Sequence, residues 1–235
     1  MTTEHSKLWY LKQVNLFNGM PPEMAMKVEE MTEMKTFAKG EKIYLGVDPA
    51  QHIFILKEGR VKVSQESGAK RELIKAILYP GEIFGETGLS GAETYMDEAT
   101  ALDDDVLVCT MDVKYMEMLM KMHPSLGLAV TASIGKKLEK MERKLESLIF
   151  KDAYGRVLEL VLRMVRDHGI AAEGNTILLE HNLTHQDLAN LAATSRQTVT
   201  TILNELQEDG FIRMERKKIF VNDIDSLRGL EVKPA

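Results

Sequence analysis

Arg196, Gln197, Thr200 and Thr201 are spaced so that a helix would gather them on one side of its first two turns. At the start of the second helix of a helix-turn-helix, side chains of these types meet base edges in the major groove. An arginine fork matches O6 and N7 of guanine, glutamine prefers adenine, and threonine offers a hydroxyl or a methyl group. The segment that must position them is THQDLANLAATSRQTVTTILNEL, residues 184–206. Two capping signatures open two short helices, Thr184 with Asp187 and Thr194 with Gln197. Leu188, Leu191 and Ala192 stripe the first helix, and Val199, Ile202, Leu203 and Leu206 stripe the second, taken as residues 195–206. Ala189 and Ala193 are small where two steeply crossing helices need close approach.

The flanking sequence fits the same chemistry. FIRMERKKIFVND, residues 211–223, reads as a hairpin whose tip carries Arg216, Lys217 and Lys218, and a short strand at 176–179 precedes the first helix. Strand, helix, turn, helix, basic hairpin is the order of a winged helix, in which the wing's cations lie on phosphate. A plain helical hairpin beside a solvated basic turn would show each piece alone. Their order points to DNA.

The chain has 235 residues, 44% of them hydrophobic and 28% charged, with a net charge of −6. These are globular values. Even from Lys151 onward there are about 11 Lys and Arg against about 13 Asp and Glu. DNA affinity would therefore lean on placed cations and on two copies acting together. Cys109 is the single cysteine. One thiol excludes an intramolecular disulfide and any Cys-rich zinc or iron–sulfur site within one chain. Its setting, DVLVCTM, predicts a buried strand. Met116, Met118, Met120 and Met122 read as adaptable core packing. The first residues lack a basic-then-apolar signal pattern and no apolar run reaches membrane-spanning length, so the expected compartment is the cytoplasm, with no membrane partner. No nucleophile–base motif, metal-ligand spacing or GxxxxGK loop is present, and the chain reads as a non-enzyme.

Three zones organise the chain. The first, residues 1–122, has a helix at 8–16 and a second over 21–34 opened by Pro21 and Pro22. From Phe37 to Met111 strand signals, EKIYL, HIFILKEG, RVKVSQES, LIKAILYPG and ATALDDDVLVCTM, alternate with turns at Gly40, Gly46, Gly59, Gly68, Gly81 and Gly91. That pattern predicts an antiparallel β-roll. The second, residues 123–150, is a long helix in which Ile134, Leu138, Met141, Leu145 and Leu148 form an a/d seam flanked by charges. The stripe can pack on the chain's own roll. Its narrowness and charged flanks favour a parallel homodimer. The third, residues 151–235, is the winged helix, with FKDAYGRV at the junction as the expected hinge and Gly155 interrupting the helical period. The fold class is α+β.

This architecture resembles the CRP/FNR family of bacterial transcription regulators. FILKEGRVKV, PGEIFGETGL, FKDAYGRV and the segment LTHQDLANLAATSRQTVTTILNEL carry the resemblance over residues 16–221. It implies a cyclic-nucleotide-binding-type roll (a jelly roll), a parallel dimer, operator DNA with two half-sites, and contact with RNA polymerase. In members that bind cyclic AMP, a phosphate cassette opens with Gly-Glu and closes with Arg-Ser before an Ala. Here Gly85, Glu86 and Gly88 keep the opening, but Asp97 and Glu98 stand where Arg-Ser should precede Ala99. The arginine would supply a bidentate, permanently charged phosphate partner. No other cation lies between Gly81 and Asp112. Met141 and Glu142 replace hydroxyl side chains that would meet the base. Cyclic AMP is therefore not expected to bind tightly, the cassette reads as a degenerate effector pocket, and room is left for another small effector or for none. A haem would need an axial ligand such as His52, His123 or His168, and none of these has a motif around it.

By the same resemblance Arg196, Gln197, Thr200 and Thr201 contact bases, Gln197 stands for a glutamate and Thr201 for an arginine. His185, Ser195, Thr198, Arg216, Lys217 and Lys218 contact phosphate, and Ala193 replaces the usual turn glycine. The alternative is a ligand-binding signalling module whose C-terminal domain contacts protein, which would leave Arg196, Lys217 and Lys218 without a role.

Overall fold

Eight strands, most with one apolar face, close into a roll of two antiparallel sheets. The computed structural model describes residues 22–66 and 72–230, and the chain divides between Glu139 and Lys140 into two compact units. The first unit holds β1 (Thr32–Phe37), β2 (Lys42–Tyr44), β3 (His52–Glu58), β4 (Val61–Glu66), β5 (Glu72–Leu78), β6 (Ile83–Phe84), β7 (Glu98–Ala101) and β8 (Val106–Asp112). Their order is β1-β8-β3-β6 in one sheet and β2-β7-β4-β5 in the other. Between the sheets lie Tyr44, Phe54, Leu56, Val61, Leu78, Phe84, Tyr95 and Val108, all buried. The outer face of the first sheet carries a second core, in which Ile53, Ile55, Cys109 and Met111 meet α1 (Pro22–Glu30), α2 (Val113–Met122) and the start of α3 (Pro124–Phe150). Cys109 is a core residue here, and Met116 packs beside it at full burial.

Two expected elements change shape. The helix expected over 21–34 stops at Glu30, because Thr32 onward pairs with β8, Thr32 opposite Met111 and Phe37 opposite Val106. Six residues of sheet pairing outweigh the helical period of TEM. The segment ATALDDDVLVCTM splits into β7 and β8, which belong to different sheets, with Asp105 in the left-handed region at φ 58° between them. The expected helix at 8–16 and the turn at Gly68 lie outside the described residues.

The second unit is built from the end of α3, α4 (Ala153–His168), β9 (Ile170–Ala171), β10 (Ile177–Glu180), α5 (His185–Ala192), α6 (Arg196–Glu208), β11 (Ile212–Glu215), β12 (Lys218–Val221) and α7 (Ile224–Gly229). A four-stranded sheet of order β11-β12-β10-β9 backs the helices. Gly155 is not the break in helical structure. That break falls at Lys151 and Asp152, where the Asp152 carboxylate caps α4 by accepting from the Gly155 N–H at 2.7 Å. A Cβ at position 155 would lie 3.2 Å from that carboxylate oxygen, so glycine leaves room for the cap rather than a hinge.

Lys57 is an ionisable side chain inside this roll that hydropathy would place outside. It is 7% exposed, and desolvation pushes its ammonium down to about 8. A lysine whose folded value is depressed carries its penalty while protonated. Stability should therefore rise with pH above about 8 as the folded form loses the proton first. Urea denaturation of wild type and Lys57→Met is expected to show their stability difference moving in favour of wild type between roughly pH 7 and pH 9. A difference that is flat over this range would refute the assignment.

Candidate nucleic-acid interface

The helix pair is fixed at each end by hydrogen bonds that the local sequence supplies. Thr184 opens α5 with a capping box: the Asp187 N–H donates to Thr184 Oγ1 at 3.1 Å, and the Thr184 N–H donates to Asp187 Oδ2 at 2.9 Å. Ala193 then turns the chain in the left-handed region, at φ 48° and ψ 54°, and the Thr194 N–H returns to the Ala189 carbonyl at 3.0 Å. This spends Thr194 on the turn. The cap of α6 is Ser195 instead, with extended backbone and its Oγ accepting from the Thr198 N–H at 3.0 Å.

Arg156, on α4, holds this turn from behind. Its Nε donates to the Ala192 carbonyl at 2.9 Å, Nη2 to the Ala193 carbonyl at 3.1 Å, and Nη1 to the Lys151 carbonyl at 2.8 Å. Two of these oxygens sit at the end of α5, where carbonyls lack helical partners. No sequence signal marked Arg156, because its role exists only once α4 and α5 meet. Apolar contact completes the support: Val199, Ile202, Leu203 and Leu206 are all buried, as are Leu188 and Ala192, while Leu191 is half-buried.

In the first two turns of α6, Arg196, Gln197 and Thr201 are exposed. Thr200 is half-buried and its hydroxyl is engaged, donating to the Arg196 carbonyl at 2.9 Å and lying 2.9 Å from His185 Nδ1. Ser195 and Thr198 share a hydroxyl–hydroxyl bond of 2.8 Å at the cap. The wing's two strands meet in a turn at Arg216 and Lys217, Lys217 being in the left-handed region at φ 63°, and its carbonyl accepts from the His181 N–H at 3.2 Å. Arg216 is exposed. Lys218 Nζ pairs with Glu180 at 2.5 Å, and this bond holds its ammonium above the usual lysine range. Gln207 Oε1 accepts from the Met214 N–H at 2.9 Å, which ties the end of α6 to the first strand of the wing.

In the roll, Gly85 and Gly88 open a short 3-10 turn (Glu86–Ser90) packed hard on the β3 segment. A Cβ at Gly88 would lie 2.3 Å from the Ala50 carbonyl oxygen, and one at Gly85 would lie 2.9 Å from that of His52. Three acidic residues of the cassette each have a lysine. Glu86 binds Lys137 at 2.6 Å, Asp97 binds Lys75 at 3.0 Å, and Glu98 binds Lys42. Lys137 also donates to the Ile83 carbonyl at 2.7 Å. The Tyr44 hydroxyl donates to Asp97 at 3.0 Å, and burial together with that carboxylate pushes its ionisation above the ordinary tyrosine range. The Asp97–Glu98 pair is therefore compensated, by cations from outside the 81–112 stretch. Tyr44, Tyr95, Phe54 and Phe84 stack between the sheets, with Tyr44 and Tyr95 centroids 4.0 Å apart and Phe54 and Phe84 5.1 Å apart. Met141 and Glu142 lie exposed on α3.

Known proteins carry both halves of this arrangement. The model of the Crp-like helix-turn-helix domain matches residues 155–230, and that of the cyclic nucleotide-binding domain matches residues 34–123. The chain belongs to the CRP/FNR family of transcription regulators. It is 25% identical to the CRP-like cAMP-activated global transcriptional regulator of Mycobacterium tuberculosis over 92% of this chain and 96% of that one. It is 28% identical to the global nitrogen regulator of a Synechocystis species, over 81% of this chain and 84% of the other. The structure of FixK2 from Bradyrhizobium japonicum shares the fold, with a TM-score of 0.76 at 21% identity, covering 87% of this chain and 99% of that one. Like its relatives in this family, the chain is a transcription regulator whose helix-turn-helix binds DNA. Among the described residues no helix is long and apolar enough to cross a membrane.

Ala193 gives a stability test of the turn. A left-handed non-glycine residue costs about 1–2 kcal/mol, part of which alanine recovers through its stiffer unfolded chain. Ala193→Gly is expected to stabilise the C-terminal unit by roughly 0.5–1 kcal/mol. Thermal unfolding showing no gain, or a loss, would mean that Arg156 leaves no strain at Ala193 to relieve.

Proposed function

We propose that the protein acts in the cytoplasm as a homodimer paired along α3, and that it places two copies of α6 in the major grooves of an operator with two half-sites. The carrying observation is the exposed, rigidly capped leading edge of α6, with Arg196, Gln197 and Thr201 outward and an apolar face beneath. Along α3, Leu138, Met141 and Leu145 remain 57–60% exposed on the single chain, and Ile134 and Leu148 are 41% exposed. An apolar seam left open at this heptad spacing supports pairing with a second copy. Arg216 and Lys217 supply phosphate contacts from the wing, and Ser195 and Thr198 offer theirs from the cap. Lys218 would exchange Glu180 for phosphate. Contact with RNA polymerase follows from the family's way of working.

The regulator is not switched by tight cyclic-AMP binding. A cyclic phosphate entering the cassette would meet Glu86, Asp97 and Glu98, whose lysines are already committed. It would have to break those pairs and displace stacked aromatic rings. Breaking one partner of a buried pair costs on the order of 3–5 kcal/mol, less for these part-exposed ones. Calorimetric titration of the purified protein with cyclic AMP is expected to give no micromolar constant, and a micromolar or tighter one would overturn this reading.

Arg196→Ala is expected to weaken binding to the best selected site by about 1–3 kcal/mol and to relax one base position, measured by fluorescence anisotropy. Unchanged affinity would remove α6 from the groove.

A further inference from the structure

The hydroxyl of Thr200 has a partner on each helix of the pair, the Arg196 carbonyl and His185. A threonine hydroxyl has one proton to donate and two lone pairs. The Arg196 carbonyl can only accept, so the 2.9 Å bond to it consumes the Thr200 proton. The contact of 2.9 Å between Thr200 Oγ1 and His185 Nδ1 then needs a proton from the ring, which makes Nδ1 the donor. One lone pair of Thr200 is taken by His185, and one is left.

We infer that His185 is a positioning residue for sequence reading: it holds the Thr200 hydroxyl as an acceptor only, so that Thr200 selects a base edge bearing an amino group, adenine N6 or cytosine N4. The inference rests on the docking of α6 in the major groove proposed above. A threonine in this position would otherwise serve either donor or acceptor edges. Locked as it is here, it has no proton for guanine O6 and N7 or thymine O4. The geometry also limits His185 itself. With Nδ1–H directed at Thr200, that nitrogen has no proton left for a phosphate. His185 therefore acts across the helix pair, from the first turn of α5 to the second turn of α6.

The lock has two parts that act together. The bond to the Arg196 carbonyl holds the hydroxyl proton, and the Nδ1–H of His185 keeps that proton from turning outward. The bond from His185 sets the rotation of the hydroxyl oxygen against the other helix. Removing the imidazole frees one lone pair and lets the threonine rotate, so discrimination at one base position should fall by about fivefold, the worth of a single hydrogen bond. An asparagine at 185 carries an amide N–H at the distance of Nδ1 from the backbone and can replace the donor.

The test is selection of sites from a random duplex pool by the full-length protein and its variants, with anisotropy on the enriched sites. Wild type is expected to enrich adenine or cytosine on the contacted strand at one position of each half-site. Thr200→Val should abolish preference at that position alone, His185→Ala should relax it about fivefold, and His185→Asn should restore it. Melting temperatures of the variants separate this effect from a loss of folding, since a merely structural histidine would lower affinity at every sequence alike. Enrichment by wild type with the same pattern in His185→Ala overturns the inference and leaves the groove docking standing. Enrichment of guanine or thymine at the position sensitive to Thr200→Val also overturns it. Absence of any enriched site for wild type overturns the docking itself and the inference with it.

Discussion

The guanidinium of Arg156 is the interaction on which the reading end of the molecule depends. A tight turn between two helices exposes carbonyls that neither helix can satisfy. Here the turn is made by alanine in a left-handed conformation that glycine would adopt without strain. Three carbonyl oxygens, those of Lys151, Ala192 and Ala193, converge on one planar, permanently charged fork. The fork therefore ties the chain before α4 to the turn between α5 and α6. A lysine could not reproduce this, because its single ammonium lacks the fixed directions of the five guanidinium N–H groups. Once the turn is fixed, the capping box of α5, the Ser195 cap of α6 and the buried leucines need only hold two short helices in place, and α6 presents Arg196, Gln197 and Thr201 as a rigid set.

The roll shows the opposite use of charge. In a cassette built for a phosphate, a cation waits unpaired until its ligand arrives. Here three carboxylates and three lysines neutralise one another, with partners drawn from β2, β5 and α3. Part-exposed pairs of this kind add little stability. Their consequence is selectivity: no positive charge remains unassigned among them, and Tyr44, Tyr95, Phe54 and Phe84 stack between the sheets. The bond from Lys137 to Glu86 and the Ile83 carbonyl also fastens the cassette turn to α3 without any added molecule. A roll satisfied in this way can keep its turn in place at all times.

Much of this was legible in the sequence wherever one residue reports on its own neighbours. Thr184 and Asp187 make the capping box their spacing announces, and the apolar stripe of α6 is buried at every position named. The alternating strand pattern gives the roll, and the α+β class follows. Misplacements occurred where a distant partner decides. TEM follows the helical period but pairs with β8. Thr194 has the spacing of a cap, yet the left-handed turn at Ala193 consumes its N–H and passes the cap to Ser195. Gly155 looks like a break in the helix, yet it lies inside α4, where Asp152 accepts from its N–H. Arg156, Lys42, Lys75 and Lys137 were invisible for the same reason, since a lone cation in a sequence gives no sign of which oxygen it will meet.

The two helices of the reading head are coupled by more than packing. Thr200 faces a choice common to threonines in helices, between bonding its own backbone one turn back and bonding outward. Bonding back leaves the hydroxyl oxygen as its only outward resource, and His185 takes half of that. A side chain of α5 thereby sets what a side chain of α6 can ask of a base. Changing the first helix can then alter sequence preference without touching a residue that contacts DNA. In a reader whose charged pair has been reduced to Arg196 alone, with glutamine and threonine beside it, such indirect control carries proportionally more weight. Specificity in this arrangement belongs to the helix pair as a unit, held together by the fork of Arg156 behind it.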